Sequence, residues 1–218
     1  MSTTPLQIVL VAGSAEYPSR TLANVDVLAN ILQTLGATTH IWDLFDDPLP
    51  LFDSRYYPDP YTNASEAVRR LARLADQADA FVWGSPVYHN SFSGVLKNAL
   101  DSLSIQQFRN KPVALMSCGN SDRTGSQPCD HLRIVARGLL AIAIPTQVIA
   151  LPSDFTFAQG RYHLTNEALQ ERVVRLAEEL IAYATIMRPL RSCCAEHAFF
   201  SANNGEHNLE PFLTKKVG

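Results

Sequence analysis

Apolar runs too short to be helices alternate along this chain with segments of helical period, and few folds accept that alternation. Leu6–Ala12 (LQIVLVA) is nearly continuous in apolar residues. A strand of this kind needs cover on both faces, which parallel sheets provide. After Pro18 and Ser19, the apolar positions Leu22, Val25, Ala29, Leu32 and Leu35 recur at three- and four-residue spacing, and Gly36 closes the segment as a C-terminal glycine does. Thr38–Leu44 reads as a second strand. A helix follows near Glu66–Ala78, then a third strand at Ala80–Gly84.

The rhythm continues with a helix from about Ser93 to Leu103, a fourth strand at Pro112–Ser117, and a helix from about Pro128 to Ala143. A fifth strand at Thr146–Leu151 and a last helix at Asn166–Ile186 complete it. Five strands alternating with helices predict a doubly wound α/β fold, with a parallel sheet between two layers of helices. Residues 1–190 form the expected domain. Residues 191–218 fall outside the rhythm and read as a tail that docks on a neighbouring subunit through Phe199, Phe200, Leu209 and Phe212, or covers the site.

Composition narrows the function. The chain has 218 residues, 46% of them apolar, and a net charge of −3. That length suits one domain. No basic stripe points to nucleic acid. The N-terminus lacks a signal-peptide pattern, and the apolar stretch Gly138–Leu151, interrupted by Pro145 and Gln147, is too short to span a bilayer. A cytoplasmic protein is the expectation. The four cysteines form no CxxC, and the six histidines form no HxxxH or HExxH, so reduced thiols and no metal are expected. Cys193 and Cys194 are read as ordinary thiols, with redox activity as the alternative.

Sheets of this kind bind ligands beyond the carboxyl ends of their strands. That rule selects residues 13–21, 85–93 and 117–127, all rich in hydroxyls, amides and glycine. In the first, GSAEYPSRT places Ser14, Ser19, Arg20 and Thr21 at a helix N-terminus. Free N–H groups and the helix dipole favour an anion there, and Arg20 can fork onto phosphate oxygens. The loop has neither the GxGxxG fingerprint nor a Gly-Lys-Ser/Thr. It suits a terminal phosphomonoester, as in FMN. An N-cap role for Ser19 and a turn role for Ser14 are the plainer alternatives. In the second loop, Pro86 stiffens the backbone, and Val87 and Tyr88 offer an apolar and aromatic surface. The N–H groups of Tyr88, His89 and Asn90 are candidates to meet the carbonyls of a flat heterocycle, with Ser93 at its edge. Segment 45–63, with Tyr56, Tyr57 and Tyr61, reads as a wall of the site or a dimer contact.

VAGSAEYPSRT followed by GSPVYHNSFSGVLKNALDSL resembles the NAD(P)H-dependent FMN reductases among flavodoxin-like proteins. Within them it is similar to the small flavin reductases that supply reduced FMN to sulfonate monooxygenases. The pattern G-S-P-x-Y-x-x-x-x-x-G-x-L-K-N-x-L-D carries the likeness. The resemblance implies a flavodoxin-like three-layer sandwich. It implies a phosphate loop at Ser14, Ser19, Arg20 and Thr21, and a ring-side segment at Pro86, Val87, Tyr88, His89, Asn90 and Ser93. It nominates Ser117, Gly119 and Asn120 in the third loop, where SCGNSDRTG departs from the usual pattern. It further implies a homodimer or homotetramer, and a monooxygenase as possible recipient of reduced flavin.

The function this implies is hydride transfer from NADPH or NADH to FMN, then electron transfer to free flavin or another small acceptor. The flavin carries the chemistry, so no catalytic side chain is required. His89 is a candidate for tuning it. Ser126, Asp130 and His131 lie close in sequence without forming a triad pattern. Lys97 and Asp101, four apart on one helix, read as a structural pair. Alternative acceptors are a quinone, an azo dye or a metal oxyanion. A flavodoxin-like electron carrier is a different class, but such carriers are usually strongly acidic, unlike a chain at −3. An interaction protein that has lost its flavin would not need both polar loops.

Overall fold

The computed structural model describes residues 4–57, 59–121 and 124–196, with side chains described through residue 190. Its strands β1 (Gln7–Ala12), β2 (Thr38–Asp43), β3 (Ala80–Pro86), β4 (Pro112–Cys118) and β5 (Ile142–Ala150) form one parallel sheet in the order β2-β1-β3-β4-β5. Strand alternation divides the core in two. Ile8, Leu10, Val82 and Met116 face helices α1 (Arg20–Thr34) and α6 (Glu167–Glu196). Val9, Val11, Phe81, Trp83 and Leu115 face α2 (Glu66–Gln77), α3 (Gly94–Asp101), the short α4 (Ile105–Phe108) and α5 (Gln127–Gly138). A parallel sheet with helices on both faces, in this order, is the flavodoxin-like three-layer sandwich.

Three differences from the sequence expectation have local causes. Helix α5 stops at Gly138, and Leu140 takes a left-handed φ of 58°, so AIAIPTQVIA begins a strand instead of extending the helix. Pro145 sits in this edge strand, where a missing N–H is tolerated, and the register against β4 jumps between Val113–Ala143 and Leu115–Gln147. Second, residues 155–164 form a hairpin of β6 (Phe155–Ala158) and β7 (Arg161–Leu164). Gln159 and Gly160 turn it with φ of 53° and 78°. Third, α6 continues through Pro189 to Glu196, past the expected end at Ile186. Arg188 near that end is ion-paired with Asp79 and donates to the carbonyls of Thr4 and Pro5, fastening α6 to the start of β1. Phe199, Phe200, Leu209 and Phe212 lie outside the described residues, as do the side chains of Cys193 and Cys194.

Among the described residues of segment 45–63, the chain is irregular apart from two single 3-10 turns at Ser54–Tyr56 and Pro60–Thr62. The Asn98 side chain of α3 holds it, donating to Pro50 O at 2.8 Å and accepting from Phe52 N–H at 2.8 Å. Lys97 pairs with Asp101 at 2.7 Å, one turn along the same helix.

Candidate active site at the carboxyl edge of the sheet

The β1–α1 loop starts where Gly13 passes against β3. Its N–H donates to Gly84 O at 2.8 Å, and a Cβ at Gly13 would stand 2.7 Å from that oxygen and 2.8 Å from Leu96 Cβ. Ser93, fully buried, donates its hydroxyl to Gly13 O at 2.5 Å, accepts Leu96 N–H as the α3 cap, and gives its N–H to Ser85 Oγ at 2.9 Å. The first and second loops are thereby locked together.

At the N-terminus of α1, Ser19 Oγ accepts Leu22 N–H at 3.3 Å, and its own O–H is unspent among the described residues. The N–H groups of Arg20 and Thr21 likewise have no partner among the described residues, as the first turn of a helix leaves them. Ser14 is buried and takes Glu16 N–H at 3.2 Å. Arg20 reaches across to Asn120 Oδ1 at 3.1 Å and lies over the Tyr162 ring of β7, 5.6 Å from its centre.

The second loop is a two-residue turn. Tyr88 and Ser91 exchange N–H···O bonds of 2.9 and 3.0 Å, while His89 and Asn90 take φ of 49° and 61°. Two left-handed central residues make a type I′ turn, in which Asn is favoured. Tyr88 N–H is spent inside the turn, correcting its expected role as a donor to a ligand. Val87 N–H is also spent, on Cys118 O at 2.9 Å. The N–H groups of His89 and Asn90 have no partner among the described residues, and Tyr88 presents an exposed ring at the same turn.

The third loop packs against the second: Gly119 leaves only 3.2 Å between an added Cβ and Val87 Cγ2. Ser117, expected to meet a ligand, is fully buried and donates its hydroxyl to Gly125 O. Thr21 and Ser93 are corrected in the same sense. The Thr21 hydroxyl turns inward to the Cys118 thiol, and Ser93 is consumed by Gly13. What faces outward from these residues is backbone. Burial raises the Cys118 thiol to about 12, against the pull of Thr21, Asn24 and Arg20, so it stays protonated.

Arg20, the unspent N–H groups, Tyr88, Asn120 and Gly119 therefore lie on three loops beyond the ends of β1, β3 and β4, joined by the Gly13–Gly84, Ser93–Gly13, Val87–Cys118 and Arg20–Asn120 bonds, and these loops are the edges of the candidate crevice. The polar pattern fits FMN. A helix N-terminus with an arginine matches a phosphomonoester, and free turn N–H groups match ring carbonyls. Sequence reasoning missed four contributors. His131 of α5 sits 2.9 Å from Ser91 Oγ through Nδ1. Tyr162 came with the unforeseen hairpin, whose signal was the alternation FTFA and RYHL around Gln-Gly. Tyr17 and Phe45 stack at 5.7 Å, both largely exposed, from the β1–α1 loop and from just beyond β2. Nothing in their spacing announces that stack.

The model of the NADPH-dependent FMN reductase family matches residues 6–156, which include every element bordering the crevice except β7. The chain belongs to that family. It is an FMN-dependent NADPH oxidoreductase by descent. It is 37% identical over 179 residues to an FMN-dependent NADPH-azoreductase of Staphylococcus saprophyticus, covering 80% of this chain and 93% of that protein. A Staphylococcus aureus protein of the same description is 35% identical over 176 residues, with coverage of 80% and 93%. Among solved structures it is similar in fold to FerB, an NAD(P)H:(acceptor) oxidoreductase from Paracoccus denitrificans, with TM-score 0.64, 19% identity, and coverage of 82% of this chain and 98% of that one. An archaeal flavodoxin gives 0.57 at 11% identity, covering 83% and 99%. No helix among the described residues of this reductase is long and apolar enough to cross a membrane.

Proposed function

We propose that the reductase passes electrons from NADPH to a flat aromatic acceptor of the azo class. The observation that carries it is the presence of three exposed aromatic rings on loops at the carboxyl edge of the sheet, the stacked Tyr17 and Phe45 and the separate Tyr88, each exposed by between 39% and 56%. The azoreductase description of relatives at 35–37% identity supports it. Free flavin is the second acceptor, since a margin open to one planar ring system admits another.

In this reading Ser19, Arg20 and the N–H groups of Arg20 and Thr21 hold the FMN phosphate. Ser14 shapes the loop by its turn bond. The His89 and Asn90 N–H groups orient the ring, with Pro86, Val87 and Gly119 forming the floor beneath it and Tyr88 and Asn120 its margins. Thr21, Ser93 and Ser117 fix those backbones from inside. Bound FMN supplies a centre that takes hydride from NADPH and releases electrons to the acceptor. The protein's part is orientation and exclusion of water from one ring face.

A homo-oligomer and a cytoplasmic setting also belong to this proposal. Exposed Leu51, Phe52 and Tyr57 support the first, and the free thiols of Cys118 and Cys129 support the second. The test is anaerobic: load the protein with FMN, add NADPH, follow bleaching of the visible flavin band, then add methyl red or excess free FMN. Rapid bleaching, followed by recovery with methyl red at least as fast as with free FMN, is expected. Bleaching followed by recovery with free FMN alone would remove the azo assignment and leave a flavin reductase.

A further inference from the structure

At the opposite end of the sheet, three arginines surround a hollow that the flavin chemistry does not use. It is a cleft of about 570 Å³ lined by Arg109, Asn110, Arg133, Arg137, Leu140, Ala141 and Ala143. That volume is within the range of small-molecule sites. No lining residue is acidic.

The cleft is built on fixed backbone. Asn110 and Leu140 both adopt left-handed φ, 59° and 58°, and the Asn110 N–H donates to Leu140 O at 2.8 Å. Ile142 N–H closes the same two loops onto Lys111 O at 2.9 Å. The Arg133 guanidinium is held by neutral acceptors only: Ile144 O and Pro145 O at 2.9 Å, and Gln147 Oε1 at 3.0 Å. Its position is set and its charge is not cancelled. The guanidinium groups of Arg109 and Arg137 have no hydrogen-bond or ion-pair partner among the described residues.

Folding alone does not favour this arrangement. Arg133 and Arg137 are four apart on α5, where like charges repel. Arg137 in the last turn of α5 suits the helix dipole. That accounts for one cation, not for three around one hollow in a chain of net charge −3.

We propose that this cleft is a binding site for a small polyanion, a molecule carrying two or more phosphate or carboxylate groups. Arg133 is the preset charge, with one Nη1 hydrogen left for the ligand, and Arg109 and Arg137 close on its oxygens with their unspent forks. Arginine suits this because its planar fork matches phosphate and carboxylate oxygens in pairs. Leu140, Ala141 and Ala143 supply an apolar floor for the body of the ligand. The cleft lies at the amino ends of β4 and β5, away from the crevice at their carboxyl ends, so its occupant does not compete with FMN.

The test is calorimetric titration of the FMN-loaded protein with sodium pyrophosphate, and separately with citrate, at low and high salt. Wild type is compared with R109Q, R137Q and the double variant. Binding of either anion in the millimolar range or tighter, weakened at least tenfold in the double variant and by added salt, is expected. Pyrophosphate alone would make the site one for phosphates, citrate alone one for carboxylates. The FMN affinity of the variants should stay within twofold of wild type, which shows that they are folded. No binding by wild type, or equal binding by the double variant, overturns the proposal. So does a variant whose only change is its oligomeric state by sedimentation, since the cleft would then serve contact between protein copies.

Discussion

Ser91 and His131 are forty positions apart and meet at 2.9 Å, hydroxyl to Nδ1. Ser91 closes the type I′ turn that presents the His89 and Asn90 N–H groups, and His131 stands on the first turns of α5. The turn is also tied at its start, where Val87 N–H reaches Cys118 O, and just past its end, where Ser93 N–H reaches Ser85 Oγ. His131 therefore fixes the ring-side turn from the direction of the third loop, and the sequence neighbour Ser126 has no part in it.

Loss of that anchor is expected to loosen the flavin without unfolding the domain. One hydrogen bond of this kind is worth about 1 kcal/mol, so H131A should weaken FMN about three- to tenfold. H131N, whose amide reaches the position of Nδ1, should recover most of the affinity. Titration of flavin fluorescence reads both. An unchanged affinity in H131A would show that the turn holds itself.

Arg20 offers a sharper division between phosphate and ring. Charge-assisted bonds contribute roughly 1.5–3 kcal/mol, so R20Q should bind FMN about 10- to 100-fold more weakly. Riboflavin, which lacks the phosphate, should bind wild type and R20Q alike. A parallel loss for riboflavin would mean that Arg20 acts through Asn120 and Tyr162, its present partners, to shape the crevice itself.

The fold was legible because parallel strands need apolar residues on both faces, and Leu6–Ala12 and Ala80–Gly84 say so without help from the rest of the chain. The β5 start was hidden because Ala141–Ile144 is equally apolar in a helix or a buried strand. Only the backbone turn at Leu140 decides between them. In the crevice, the loops were legible but the roles of their hydroxyls were not. Ser93, Ser117 and Thr21 look like ligand donors in sequence, and tertiary packing turns each inward to a carbonyl or thiol. The outward donors are backbone N–H groups, which no residue type announces. The Tyr17–Phe45 stack depends on how two loops fold back, so it too is a property of the assembled chain.

Gly13 tests the junction of the first two loops. A Cβ there meets a backbone oxygen and a helix Cβ below 3 Å, and neither can swing aside as a flexible side-chain end would. G13A should lower stability by about 1–3 kcal/mol, as overpacking does, measured by urea unfolding. It should also weaken FMN, since the strand and α3 must part at the crevice. A variant with wild-type stability would show that β3 and α3 yield more easily than their burial implies.

The buried thiols predict an alkaline limit. Burial raises Cys118 to about 12 and Cys129 to about 11, from an ordinary value of 9.0. Below pH about 9 both folded and unfolded chains keep these protons, and the thiols confer their full stability. Above it the unfolded chain ionises and the folded one does not, so stability is lost as pH rises towards 11 and 12. Linkage sets the limiting slope at about 1.4 kcal/mol per pH unit for each thiol. Tyrosines and lysines titrate in the same window, so the informative quantity is a difference. Unfolding free energies of wild type and C118A/C129A, measured from pH 7 to 10.5, should converge as pH rises above 9, with the variant showing the shallower fall. Native protein at pH 8 should also react with a thiol reagent at these two positions far more slowly than urea-unfolded protein. Parallel pH curves for the two proteins would mean that the thiols reach solvent before the domain unfolds, and that the interior beneath Thr21 and Asn24 opens locally.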